Sequence, residues 1–127
     1  MSYKAALLVM VICLGAIGVH GDDSKQKKQS YWMKQKLVYS QNILSGLATE
    51  DFESIRKNAS SMKALDVLET YVHPRSKDYR MQLQTFQFAN DELIRNAREK
   101  NVDGAALAYV QLSVSCVNCH KLLRSTR

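Results

Sequence analysis

No stretch of this chain reads as a β-hairpin, an internal repeat or a low-complexity segment, and its 127 residues hold one proline and five glycines. Sheet folds and repeat architectures therefore have no local signal to rest on. Cysteine is equally scarce. Of three, Cys13 lies in an apolar N-terminal segment, and outside that segment His73 is the only His or Cys besides Cys116, Cys119 and His120. A structural zinc site needs four such ligands, and His120 directly after Cys119 suits tetrahedral closure poorly. A thioredoxin-like dithiol would sit beside a strand-helix-strand pattern, and none is present. The basic excess, +6 overall, has no aromatic interleaving. It is spread over Lys25, Lys27, Lys28, Lys34 and Lys36, then Arg75, Lys77, Arg80, Arg95, Arg98 and Arg127. It reads as solvated helix surface, with no nucleic-acid partner.

What is present is Cys116-Val117-Asn118-Cys119-His120 near the C-terminus, the C-x-x-C-H pattern of c-type haem attachment. Two thiols must add to the vinyl groups on one porphyrin edge while the adjacent imidazole reaches the iron. On a helix, Cys119 lies three and His120 four residues after Cys116, so all three project from one face. A buried structural pair of cysteines is the competing reading.

The N-terminal end agrees in compartment. Residues 1–21 carry Lys4, an apolar run from Ala5 to Val19 and a small-residue end at Val19-His20-Gly21, the layout of a secretory signal cut before Asp22. An uncleaved anchor is the weaker reading, because the run is shorter than the roughly 20 residues a span requires. Cys13 follows Ile12, too bulky for a lipid-attachment site, and reads as part of the removed segment. Residues 22–127 then form one domain of net charge +5, the +6 less Lys4. A chain this short buries only about two-thirds of its surface, so a covalently held apolar ring would be a large part of its core.

From there the pattern is helical throughout. The first helix, Ser30 to Leu47, has Met33, Leu37, Leu44 and Leu47 as its stripe, with Ser40 at the small position, Ile43 widening the stripe, and Gly46 and Thr49 as stop and new cap. The second, Glu50 to Val72, turns Phe52, Ile55, Ala59, Met62, Leu65, Leu68 and Val72 inward and ends at His73-Pro74. The third, Lys77 to Lys100, has Ser76 as cap and Tyr79, Leu83, Phe86, Ala89, Leu93 and Ala97 inside. After a break at Asn101-Val102-Asp103-Gly104, the fourth turns Ala105, Ala108, Tyr109, Leu112, Cys116, Cys119, His120 and Leu123 inward. Four amphipathic helices with short connections predict an all-α, up-down-up-down antiparallel four-helix bundle, with haem bound near the C-terminal end of helix four.

With C-x-x-C-H on the last helix of such a bundle, residues 22–127 resemble the class II c-type cytochromes, the cytochrome c-prime family. Arg124 matches the family's C-x-x-C-H-x-x-x-R ending; Leu123 stands where members commonly carry an aromatic residue. The resemblance implies one haem c per chain, thioether-linked to Cys116 and Cys119, with His120 as proximal iron ligand. The bundle topology places Met33, Leu37, Leu65, Leu68, Val72, Tyr79 and Leu83 around the ring.

Met33 decides the function. Opposite His120 its thioether would complete Met/His ligation, which raises the potential and favours electron transfer. Met62 lies about 15 Å from the end of its helix, and Met81 points away from the core. Family members with an iron-reaching Met in the first helix look like low-spin electron carriers, and Met33-Lys34 resembles that subgroup. A core methionine filling a gap is the plain alternative. Leu37 would then be the distal blocking residue of a five-coordinate protein binding nitric oxide or another small gas.

Lys34, Lys36 and Arg124 are candidates for pairing with haem propionates. Trp32 is a candidate shield for the haem edge, Tyr79 a second propionate partner or pocket cap, and His73 a remote alternative ligand. The expectation is a periplasmic one-electron carrier, exported across the inner membrane of a bacterium. It would be no enzyme, since no distal His or Arg stands on the first helix. It would exchange electrons with redox partner proteins and have no stable membrane insertion after signal cleavage. The resemblance also permits a homodimer through the first two helices, where Val38 and Tyr39 read as exposed.

Overall fold

The structure, a computed structural model, describes residues 23–72 and 76–125, with side chains from 31–70 and 76–125. Residues 1–22, on which the expected secretory signal falls, His73-Pro74, Arg75, Arg127 and the side chains of Lys25, Lys27, Lys28 and Val72 lie outside the described residues. Among the described residues there are four helices and no strand: α1 Asp23–Thr49, α2 Phe52–Val72, α3 Lys77–Arg98 and α4 Val102–Ser125. The chain divides into two compact units at Tyr31–Trp32, and the packing below is that of the unit Trp32–Arg127.

The α1–α2 and α3–α4 turns are built alike. Glu50 and Lys100 take left-handed φ values of 52° and 55°. The following amides, Asp51 N and Asn101 N, each donate back at 2.9 Å to the carbonyls of Gly46 and Asn96, the wide hydrogen bond of a Schellman ending. Asp51 Oδ1 then accepts from Ser54 N and Asn101 Oδ1 from Gly104 N, both at 3.0 Å, so each new helix starts on a side-chain cap. Ser76 caps α3 as expected, accepting from Tyr79 N at 3.3 Å.

Three sequence expectations change here. Thr49 does not cap α2: it ends α1 with its Oγ1 donating to Ser45 O at 3.0 Å, and Asp51 takes the cap. Gly46 does not stop α1; it lies inside the helix, where an added Cβ would lie 2.9 Å from Ile55 Cγ1. Gly104 lies in the first turn of α4 rather than in a break, and its missing Cβ leaves room for the Asn96 and Asn101 side chains.

Cross-helix pairs show antiparallel neighbours. Lys36 meets Glu69 while Asn42 meets Asn58, so α1 and α2 run in opposite directions. Tyr79 meets Glu69 while Asp91 meets Lys63, so α3 runs opposite to α2, with Asn90 reaching the Ala59 carbonyl between them. The backbones approach closely between α2 and α3 and between α3 and α4, where Ala59, Ala89, Ala97, Ala105 and Ala108 are buried; small side chains reduce interaxial distance. The apolar core runs from Ala97 and Ala105 through Leu93 and Ala108 to Ile43, Met62, Phe86 and Leu112.

The inward face of α1 is rotated from the expected stripe. Ile43 and Gly46 are buried and Trp32, Lys36 and Tyr39 half-buried, whereas Leu37 is 59% and Leu44 54% exposed. At about 100° per residue, Met33 lies about 80° and Leu37 about 120° from Ile43. A corresponding change occurs in α2: Ile55, Ala59, Met62, Asp66 and Glu69 are buried, Leu65 is half-buried and Leu68 exposed. The seam follows the four-three spacing of these five positions even where they become acidic.

Candidate haem-attachment site

On α4 the motif continues the face that packs the core. Measured from buried Leu112, Cys119 lies about 20° to one side, with Cys116 about 40° and His120 about 80° to the other. Cys116 and Cys119 are half-buried and form no disulfide; His120, expected on the inward face, is exposed, because of the three it lies furthest round the helix from Leu112. Cys116 packs against the end of the apolar core. Burial pushes its thiol pKa up, while the Lys36 ammonium opposes that rise.

One hydrogen bond sets α1 against α4. Ser40 Oγ and Tyr109 Oη are 3.1 Å apart, so the flank of α1 carrying Ser40 faces the flank of α4 carrying Tyr109. Met33 lies seven residues before Ser40 and Cys116 seven after Tyr109, each about 10 Å beyond that contact along antiparallel helices. Met33 and His120 each fall within about 20° of those facing flanks. Met33 is half-buried, Met62 is in the core and Met81 exposed.

At this end the interior is polar. Lys36 Nζ is 2.6 Å from Glu69 Oε2 and 2.7 Å from Asp66 Oδ1, and 4.9 Å from the Phe86 ring centre. Tyr79 donates to Glu69 Oε1. The Asp66 contact lies off the hydrogen-bonding direction, and Asp66 Oδ2 has no hydrogen-bond donor among the described residues. Burial raises the Asp66 carboxyl to about 6 despite Lys36, with Glu69 and Asp91 adding to the rise. Burial draws the Lys36 pKa down, but the charges of Asp66 and Glu69 outweigh it and leave it raised.

This network was not legible as a site. Lys36 read as a propionate partner, yet its ammonium is already held by two carboxylates; Tyr79 is likewise engaged by Glu69. The available signal was that Asp66 and Glu69 continue the spacing of Ile55, Ala59 and Met62. Of the other candidates, Tyr79 and Leu83 are buried, while Lys34, Leu37, Leu68 and Arg124 are exposed. Trp32 and Leu123 are half-buried, as is Tyr39, which packs on the core instead of standing free for a partner.

The donor set fits a covalently held haem: two cysteines outside any disulfide and a neighbouring imidazole share one helix arc, beside the end of the apolar core. No group of three or more His, Cys, Asp or Glu is placed to hold a bare metal ion among the described residues. No helix among them is long and apolar enough to cross a membrane. Comparison with protein-family models, curated proteins and solved structures finds no match to this chain. The resemblance therefore rests on the motif and bundle alone.

Proposed function

We propose that this chain is a periplasmic c-type cytochrome that carries one electron at a time. The observation carrying the reading is the placement of Cys116, Cys119 and His120 on one arc of α4, facing the α1 flank that bears Met33. Cys116 and Cys119 would hold haem c through thioethers, and His120 would ligate its iron. When bound, that group supplies a one-electron ferric/ferrous couple.

The chain's residues perform the remaining work. Met33 is level with Cys116 on the facing flank, which supports it as the sixth ligand. Leu37 is turned further outward, so it is worse placed as a distal blocking residue. No bond-making chemistry is required: Cys116, Cys119 and His120 on α4 would hold the group, and Met33 on α1 would supply the further iron ligand. Redox proteins are the partners, and exposed Lys34 and Arg124 are the cations available to propionates.

The visible spectrum of the purified protein tests this reading. A low-spin spectrum with the weak far-red sulfur-to-ferric band is expected, and Met33→Ala should convert it to a high-spin, nitric-oxide-binding form. A high-spin wild type, or no spectral change in the variant, would refute Met33 ligation.

A further inference from the structure

The outer face of α4 carries an apolar stripe that no other helix among the described residues covers. Leu107 is 74% exposed, and Val110, Val114 and Val117 are each more than half exposed. Their spacing of three, four and three residues makes a straight seam on a helix, the spacing by which helices pair. The same spacing continues to Asp103 at one end and Lys121 at the other, both exposed. Neither has an ion-pair partner among the described residues.

The stripe is symmetric about Leu112. Asp103 and Lys121 are equidistant from it, as are Leu107 and Val117, and Val110 and Val114. Two copies of α4 packed antiparallel about a two-fold axis at that level would set Val110 against the partner's Val114 and Leu107 against the partner's Val117. Asp103 would meet the partner's Lys121 at both ends. A parallel pair would instead bring Asp103 to Asp103 and Lys121 to Lys121. Self-complementarity of this kind is what an isologous interface requires.

We infer that the outer face of α4 is a homodimer interface and that its occupant is a second, antiparallel copy of this chain. The flanking positions Ala106, Gln111, Ser113 and Asn118 are small or uncharged, so the helices can approach without burying further charge. A lipid surface would be matched by a basic polar flank, and these positions supply none. From Asp103 to Lys121 the seam is about 27 Å long. The exposed Leu37 and Leu44 on the flank of α1 turned toward α4 widen it. Stable dimers generally bury at least about 1,200 Å² in total, so a single-helix seam of this length predicts a concentration-dependent dimer. The seam lies on the opposite side of α4 from Cys116 and Cys119, which leaves the proposed haem face inside each bundle. The pairing does not depend on haem.

Sedimentation equilibrium of the secreted protein over a concentration series tests it. The wild type should associate to a dimer. Val114→Glu, which puts a carboxylate at the centre of the seam, should weaken association by about a hundredfold or more, roughly 2.7 kcal/mol, with helical circular dichroism unchanged. Leu107→Lys, at the most exposed position, serves as a second disruption if Val114→Glu does not fold. Asp103→Lys should weaken the dimer several-fold, and adding Lys121→Asp should restore it. A monomeric wild type, including one whose stripe is taken by a redox partner, would overturn the proposal. So would unaltered association of both stripe variants, failure of the charge-swapped double variant to recover, or a dimer abolished by Val38→Glu instead.

Discussion

Replacing Asp66 by asparagine should change how stability responds to pH, and the structure supplies both sign and size. Asp66 is 1% exposed, with one oxygen against Lys36 Nζ and the other without a hydrogen-bond donor. Its pKa rises from 3.8 to about 6 in the fold, chiefly because burial penalises the charged form. Between those values the folded chain keeps a proton that the unfolded chain has released, so stability falls as pH rises. The contribution is fully present below about 3.8 and gone above about 6. At about 1.4 kcal/mol per unit, the loss over this interval is about 3 kcal/mol.

The asparagine side chain has nearly the shape of protonated Asp66 but cannot ionise. Denaturant unfolding of wild type and Asp66→Asn, followed by circular dichroism from about pH 4 to about pH 7, should therefore show similar stabilities at the acid end. At the neutral end the variant should have gained about 3 kcal/mol relative to wild type, with Lys36 still paired to Glu69. The difference between the two proteins cancels the carboxylates they share. Parallel pH profiles would refute the reasoning and mean that Asp66 ionises in the fold as freely as in the unfolded chain.

Other perturbations probe the packing. Gly46→Ala should destabilise by about 1–3 kcal/mol despite its better helix propensity, because the new methyl meets Ile55 Cγ1 at 2.9 Å; thermal unfolding reads this directly. Leu112→Ala should cost about 2–5 kcal/mol in urea unfolding, since Leu112 is fully buried in the core, while Leu107→Ala at the same concentration of monomer should cost under about 0.5 kcal/mol. Lys100→Gly should raise stability by up to about 1 kcal/mol, because φ at this turn is 55° and only glycine takes it without strain; a lower melting temperature would contradict that assignment.

The legible parts were those set by local chemistry. Ser76 as cap, the end of α3 near Lys100 and the inward set from Tyr79 to Ala97 follow from neighbours a few residues apart. The α1 stripe was misjudged because the two seams, Met33-Leu37-Leu44 and Trp32-Lys36-Tyr39-Ile43, differ by one residue. The first looks better on aliphatic content. Lys36 turns inward only because Asp66 and Glu69, thirty and more residues away, come to meet it. A pattern that treats charge as solvent-facing must choose Leu65 and Leu68 in α2 for the same reason. At the candidate site, the helical arc of Cys116, Cys119 and His120 follows from spacing alone. The level at which Met33 faces that arc depends on the Ser40–Tyr109 contact between the first and last helices, which no local signal encodes.

Whether haem is attached at all is decided by intact-mass spectrometry of the chain secreted from a host that attaches haem c. A mass greater by one haem, retained after denaturation, is expected, with no such increment when Cys116 and Cys119 are both replaced by Ala. A wild-type chain recovered from that host at its bare polypeptide mass would contradict the assignment of a c-type cytochrome.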